Sequence, residues 1–320
     1  GQPRESLRTV YGRIDQDIDR AIELLEKARE TTLAENNKSH INLYVALGIK
    51  SRACLAEGDW DGAFKAAKRV IDEGGYAVGT KSDLTGGMNS LDKQNVMWGA
   101  GIQVADQAGG YAGFFTHMDN KEGAYAKSAP KLISKQLYNR ISATDIRRDW
   151  WDPSDKESPY VSKKFSFANV ASFLGDYIYM RVEEMYFTAA EAALRLDDLK
   201  SARELMNTVM AERDPGYSAN NRSGTLLGAT TTTWTGSFLE NILTHRRIEL
   251  WGEYGRLFDV RRLGQGIDRR TDDGFSEECI SMMNRRNVNI TKADTYDWVL
   301  TIPKAELDAN PNINEEDQNP

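Results

Sequence analysis

The sequence predicts a mainly α protein of tetratricopeptide-like helical hairpins, with long irregular loop insertions and a few short strands. Three observations support this prediction. Apolar residues recur at intervals of three and four in several segments, which is the spacing of one face of an α-helix. Two pairs of these segments share a length and an alanine-rich seam, and strand-like runs are short. We expect residues 1–320 to form a single domain.

The first predicted unit, residues 9–75, contains one helix followed by a helical hairpin. An apolar stripe from Ile14 to Ala28 predicts the helix at about residues 9–30. After a polar break, Ser39 is the expected N-cap of the second helix. Asp59 can cap the third helix, which Gly74 and Gly75 should end. The last two helices therefore form the first repeat hairpin.

The remainder of the chain divides into three predicted parts. Residues 76–178 form a loop-rich insertion, in which 96–104 is a short strand and 105–129 a long loop. Residues 179–214 form a second repeat hairpin with a turn at Asp197 and Asp198. Residues 215–320 contain another loop, a strong helix at about 237–251 and the C-terminal segment.

Composition and missing motifs exclude several classes of function. The chain has 41 Lys and Arg against 48 Asp and Glu, and this net charge of −7 argues against a nucleic-acid partner. No apolar run is long enough to span a membrane. Its two cysteines and three histidines are isolated from one another, and no phosphate-binding glycine motif occurs. We therefore expect no metal site and no cofactor.

Three motifs, spread over most of the chain, together resemble one known family. The first is the hairpin segment at 53–75, which contains Gly58-Asp59-Trp60. The second, HRRIELWGEYGRLFDVRRLG at 245–264, is similar to ERRxELxxEGxRxxDLxRxG, although His245 replaces Glu and Tyr254 replaces Gly. The third, at 302–320, is similar to PIPxxELxxNPnxxQNP. These motifs resemble the SusD/RagB family of outer-membrane nutrient-binding lipoproteins.

The resemblance implies a non-enzymatic protein that binds oligosaccharides at the cell surface. Its implied partner is a SusC-like TonB-dependent outer-membrane transporter, to which it would deliver the glycan. Membrane attachment would come only from an N-terminal lipid that this chain does not carry, because family members are longer and the chain resembles an N-terminally truncated one. Peptide capture within the same family and a helical-repeat adaptor for a protein partner are the alternatives. An α-helical glycosidase would need two carboxylates across a cleft, and no loop offers a convincing pair.

The second motif also contains acidic and basic residues at helical spacing. Arg246, Glu249, Glu253 and Arg256 invite a catalytic interpretation, because paired carboxylates can act as acid and base. Opposite charges three or four residues apart more often form an ion-pair network along a helix. We therefore predict that this set stabilises the fold.

Aromatic residues in the irregular stretches are the candidate ligand contacts. Sugar rings stack their C–H faces on flat aromatic surfaces while polar neighbours bind the hydroxyls. The turn around residues 150–151 is expected to place at least one indole outward, although such rings can equally cover satellite cores. Phe114, Phe115 and Trp98 are expected in the core. The predicted ligand-binding residues are Trp150, Trp151, Trp234, Tyr111, His117 and Gln103.

Overall fold

The computed structural model describes residues 3–31, 37–106, 113–220, 236–267 and 299–319. The long helices are α1 (Leu7–Thr31), α2 (Leu43–Glu57), α3 (Trp60–Glu73), α8 (Val182–Arg195), α9 (Leu199–Ala211) and α10 (Phe238–Glu249). The short helices are α4 (Lys81–Thr85), α5 (Phe114–Met118), α6 (Ala124–Ser128), α7 (Lys135–Tyr138), α11 (Arg256–Arg262) and α12 (Lys304–Ala309). The strands are β1 (Val96–Ala100), β2 (Trp151–Asp152), β3 (Val161–Ser162) and β4 (Tyr177–Arg181). The prediction of a mainly helical fold is confirmed.

Two helical hairpins, α2–α3 and α8–α9, pack side by side through α3 and α8. Small side chains make this close approach possible: Ala63 and Ala67 on α3 and Ala189 and Ala193 on α8 are fully buried. Helix α1 packs against α2, and α10 packs against α8. The hairpins therefore form the main apolar core and provide the framework on which the insertion is mounted.

Local capping interactions set the ends of the first hairpin. Asp59 accepts a hydrogen bond from the Gly62 amide at 3.0 Å and caps α3, and Gly74 follows its last residue, as predicted. Gly58 ends α2 in the left-handed conformation, with φ of 85°. The predicted cap of α2 was wrong, because Asn42 and not Ser39 accepts from the Val45 amide.

The insertion pairs its strands in two small antiparallel ribbons, β1 with β4 and β2 with β3. In the first ribbon Val96 lies opposite Arg181 and Ala100 opposite Tyr177, with two shifts in register between them. Gly99 is required there, because a Cβ would lie 2.3 Å from the Tyr177 carbonyl oxygen. The predicted strand at 96–104 therefore exists but ends at Ala100.

A second apolar core lies under the insertion and contains both tryptophans at positions 150 and 151. Trp150 is 3% exposed and Trp151 is 1% exposed, and their rings meet edge to face with centroids 5.8 Å apart. The expectation that one indole points outward is wrong, because both rings fill this core. The predicted loop at 105–129 also contains the short helices α5 and α6 in its described part.

None of the helices in the described ranges combines the length and the apolar composition that crossing a membrane would require.

Candidate ligand-binding site

A cavity of about 510 Å³ opens where the β1–β4 ribbon meets the turn after α10. Its wall is mostly aromatic, and its size falls within the range of about 300–1,000 Å³ found for small-molecule sites. The rings that line this aromatic pocket are Trp98, Phe114, Phe165, Tyr177, Tyr179 and Tyr254. Flat apolar faces in a cavity of this size can bind the C–H face of a ring-shaped ligand.

The strand ribbon positions three of the six rings. Tyr177 and Tyr179 both lie on β4, and both line the pocket. Trp98 on the neighbouring strand meets Tyr179 with ring centroids 5.1 Å apart and planes at 69°. Trp98 is half-buried and Tyr179 is 41% exposed, so this pair is accessible from the cavity. Trp98 and Tyr179 are therefore the best-placed rings for stacking.

Helix α5 supplies the floor of the pocket. Phe114 at its first position packs edge to face against Phe165, with ring centroids 5.3 Å apart. The Phe114 amide donates a hydrogen bond to the Tyr177 hydroxyl at 3.3 Å. Phe115 is buried as predicted, whereas Phe114 is only partly buried and lines the cavity. These contacts connect the floor to the strand ribbon.

Tyr254 is held between two neighbours. The Arg52 guanidinium lies 3.7 Å from the centre of its ring, and Phe258 stacks on the ring at 5.2 Å with an interplanar angle of 24°. Arg52 is itself fixed by two hydrogen bonds to Glu184, at 2.8 and 2.6 Å, and one to the Tyr179 carbonyl at 2.7 Å. Burial raises the pKa of Tyr254, so its hydroxyl remains protonated at neutral pH. With neighbours on its ring, Tyr254 serves as a fixed wall and not as a stacking platform.

The turn that carries Tyr254 depends on Gly252. This residue has a φ of 75°, and a Cβ on it would lie 2.6 Å from Phe165 Cε2. A glycine therefore allows the chain to leave α10 and pass directly against the pocket wall.

Beneath the pocket lies a buried cluster of charges centred on Glu249. This fully buried carboxylate accepts hydrogen bonds from Arg147 at 3.1 Å, from Arg181 at 3.0 Å and from Arg213 at 2.9 and 3.0 Å. Burial alone would raise the pKa of Glu249, but Arg213 and Arg181 hold it well below its usual range. Glu249 is therefore a charged structural centre.

Lys164 and Glu253 connect this charged cluster to the pocket. The Lys164 ammonium donates to the carbonyls of Glu249 and Trp251, at 2.7 and 2.8 Å, and so satisfies backbone groups at the end of α10. It also donates to the Glu253 carboxylate at 2.5 Å, which Arg181 contacts as well. Burial lowers the pKa of Lys164 to about 8. Glu253 therefore lines the pocket while its partners belong to the interior.

The predicted structural role of the Arg and Glu residues agrees with this burial, but their partners differ from the prediction. Helix α10 ends at Glu249, so the four residues do not continue along one helix. Arg246 pairs with Asp259 at 2.9 Å and contacts Glu184 at 3.6 Å. The arginines that bind Glu249 come from the insertion, from β4 and from the residues after α9.

Acid should unfold the protein through these carboxylates. Burial opposes their ionisation, but the neighbouring cations keep the pKa values of Glu249, Glu253 and Asp259 below their usual range. Below about pH 4.5 the unfolded chain therefore binds more protons than the folded chain, and the free energy of unfolding falls. Urea titrations between pH 7 and pH 3 should show a plateau and then a decline. Greater stability at pH 3 than at pH 6 would contradict this assignment.

The sequence-predicted site residues are not brought together at the aromatic pocket. Trp150 and Trp151 are core residues, as described above. His117 is exposed and stacks on Tyr125 with ring centroids 4.6 Å apart, and Gln103 is exposed at the end of the loop after β1. Tyr111 and Trp234 lie outside the described residues. The proposed role of these residues in ligand binding stays a prediction, although Trp150 and Trp151, at 3% and 1% exposure, present little surface to a ligand.

Sequence reasoning missed the rings that do line the pocket. Trp98 was expected in the core because it occupies a strand, and Tyr179 was assigned to the start of the second hairpin. The available signal was the pair of tyrosines at 177 and 179 in a short strand-like run. Recognising that signal required knowing that this strand pairs with β1.

Comparison with known proteins supports a common architecture. The model of the SusD family matches residues 116–320. A SusD-like carbohydrate binding protein from Bacteroides vulgatus is 26% identical in sequence to this chain, with a TM-score of 0.78. The match covers 98% of this chain and 67% of that protein's chain. A SusD superfamily protein from Bacteroides thetaiotaomicron is 23% identical in sequence, with a TM-score of 0.71. That match covers 95% of this chain and 66% of the other protein's chain.

More distant structures share the fold. Surface glycan-binding protein A from Bacteroides uniformis is 16% identical with a TM-score of 0.63, over 99% of this chain and 70% of its own. No curated protein was found that matches the chain. The chain spans about two thirds of the length of the Bacteroides vulgatus and Bacteroides thetaiotaomicron structures. Because the family model covers more than half of the chain and includes the charged segment that builds the pocket wall, this protein belongs to the SusD family.

Proposed function

We propose that this protein binds oligosaccharides at the cell surface, without chemical conversion, and delivers them to a SusC-like TonB-dependent transporter. SusD family members are binding proteins associated with the outer membrane and exposed at the cell surface. The 26% identical relative is described as a carbohydrate binding protein. The single observation that carries the proposal is the aromatic pocket, where Trp98 and Tyr179 present accessible rings beside fixed polar groups.

The chemistry of the pocket fits a sugar. One face of a pyranose is largely C–H and packs on an aromatic ring, while its hydroxyls need donors and acceptors at the rim. Trp98 and Tyr179 offer the apolar surface, and the Tyr254 hydroxyl and the Arg52 guanidinium offer polar groups beside it. The glycan would therefore lie against the strand ribbon with its edge toward the turn after α10.

Replacing Trp98 with alanine should weaken glycan binding by about 1–3 kcal/mol, comparable to the loss of one buried aromatic face. Tyr179→Ala should have a smaller effect in the same direction, because Tyr179 is 41% exposed. Glycan-array screening would identify the ligand, and calorimetry would measure the affinities. Tyr125→Ala is the matched control, since Tyr125 is 43% exposed and does not line the pocket.

Three outcomes would contradict the proposal. Peptide binding in the absence of any glycan binding would favour the peptide-capture alternative. Equal affinity of wild type and Trp98→Ala for a bound glycan would place the site elsewhere. Failure of the protein to co-purify with a TonB-dependent transporter from outer membranes would remove the proposed partner.

A further inference from the structure

We infer that the aromatic pocket selects uncharged sugars and discriminates against uronic acids and sulfated sugars. This inference rests on the proposed glycan-binding function and adds the class of glycan. Among the described residues, the charged side chains that line the pocket are Arg52 and Glu253. The argument depends on how each of these charges is balanced.

The positive charge of Arg52 is already matched by a buried carboxylate. Its Nε and one terminal nitrogen donate to the two oxygens of Glu184, whose side chain is only 2% exposed. The same terminal nitrogen donates to the Tyr179 carbonyl at 2.7 Å. A bidentate pair of this kind fixes the plane of the guanidinium and neutralises its charge. Arg52 is therefore a positioning residue for Tyr179 and Tyr254, and its charge is already paired before a ligand binds.

The other charge presented to the pocket is negative. The side chain of Glu253 keeps 9% exposure, whereas those of its partners Lys164 and Arg181 are fully buried. The carboxylate and not the cations therefore borders the cavity. An anionic sugar placed on Trp98 would lose hydration and gain no unpaired cation among the described lining residues. It would also meet the carboxylate of Glu253 before the buried cations that pair with it. A neutral sugar avoids these costs.

The test compares matched trimers that differ only by oxidation of C6 to a carboxylate. Suitable probes are β-1,4-linked glucose and glucuronate, β-1,4-linked mannose and mannuronate, and α-1,4-linked galactose and galacturonate. Calorimetry on the wild-type protein at 0.05 and 0.5 M NaCl should show that one or more of the neutral trimers bind. The affinity of such a trimer should be at least about tenfold higher than that of its acidic counterpart. The neutral affinity should change less than about twofold with salt, because no net charge is screened.

A Glu253→Gln variant provides the second measurement. Neutralising this carboxylate leaves the charges of Lys164 and Arg181 in excess, so the preference for the neutral trimer should fall by about threefold or more. An unchanged or larger preference in the folded variant would overturn the inference.

The outcomes separate the two proposals. Tighter, salt-sensitive binding of an acidic trimer would overturn the neutral selectivity and leave glycan binding intact. Binding of peptides with no binding of any trimer or array glycan would overturn the glycan-binding function and this inference together.

Discussion

Replacing Glu249 with alanine is expected to lower the free energy of unfolding by about 3–5 kcal/mol, the cost of leaving buried charges without their partner. Three arginines, Arg147, Arg181 and Arg213, meet at this carboxylate, and all four side chains are fully buried. Loss of the carboxylate leaves three guanidinium groups with less compensation in a site that water does not reach. Urea denaturation followed by circular dichroism would measure the loss.

Two control variants make this result specific. Glu249→Gln keeps the shape and some hydrogen bonds but loses the charge, and should destabilise as well. Asp61→Ala removes one half of a surface pair with Lys65, whose side chains are 60% and 73% exposed, and should cost no more than about 1 kcal/mol. Loss of glycan binding in Glu249→Ala at unchanged stability would show that this residue serves the ligand and not the fold.

Replacing Trp151 with alanine should destabilise the protein by about 3–5 kcal/mol, the usual cost of truncating a buried tryptophan. Its ring is 1% exposed and packs edge to face against both Trp150 and Trp251, each with ring centroids 5.8 Å apart. The cavity left behind would loosen the second core, in which Phe165 also forms part of the pocket wall. Thermal and urea unfolding would measure the effect.

The companion variants of this experiment distinguish packing from ligand contact. Trp151→Phe should cost less than the alanine variant, since it keeps an aromatic ring and the indole nitrogen has no hydrogen-bond partner among the described residues. His117→Ala, at an exposed position, should change stability by no more than about 0.5 kcal/mol. If Trp151→Ala loses glycan affinity while its stability is unchanged, the core assignment is wrong and Trp151 belongs to the site.

Local features of the chain were sufficient to predict the repeat hairpins. The apolar stripe, the cap at Asp59 and the stop at Gly74 all act within a few residues, and the observed helix α3 follows them. The cap of α2 was misplaced because Ser39 and Asn42 are both capping residues near the same helix start, and only the folded backbone decides between them. Elements stabilised by near neighbours are therefore predictable from sequence.

The charged segment shows where local reasoning ends. Spacing along the chain predicted that the Arg and Glu residues stabilise the fold, and the burial of Arg246 and Glu249 agrees with it. Spacing also suggested partners within one helix, whereas Glu249 binds Arg147, which is 102 residues away in the sequence. Helix α10 ends at Glu249, and Gly252 lies just beyond that end. The desolvated carboxylate of Glu249 can be satisfied only by groups from elements that are distant in the sequence.

The sequence by itself determined the family motifs and the helical hairpins, because both depend on residue types at short spacing. The tertiary structure decided which aromatic rings are accessible. Trp98 and Tyr179 are 81 residues apart, and only the pairing of β1 with β4 brings them to one pocket. Trp151 is buried for the same reason, since the exposure of a large ring depends on what packs on it and not on the polarity of its sequence neighbours.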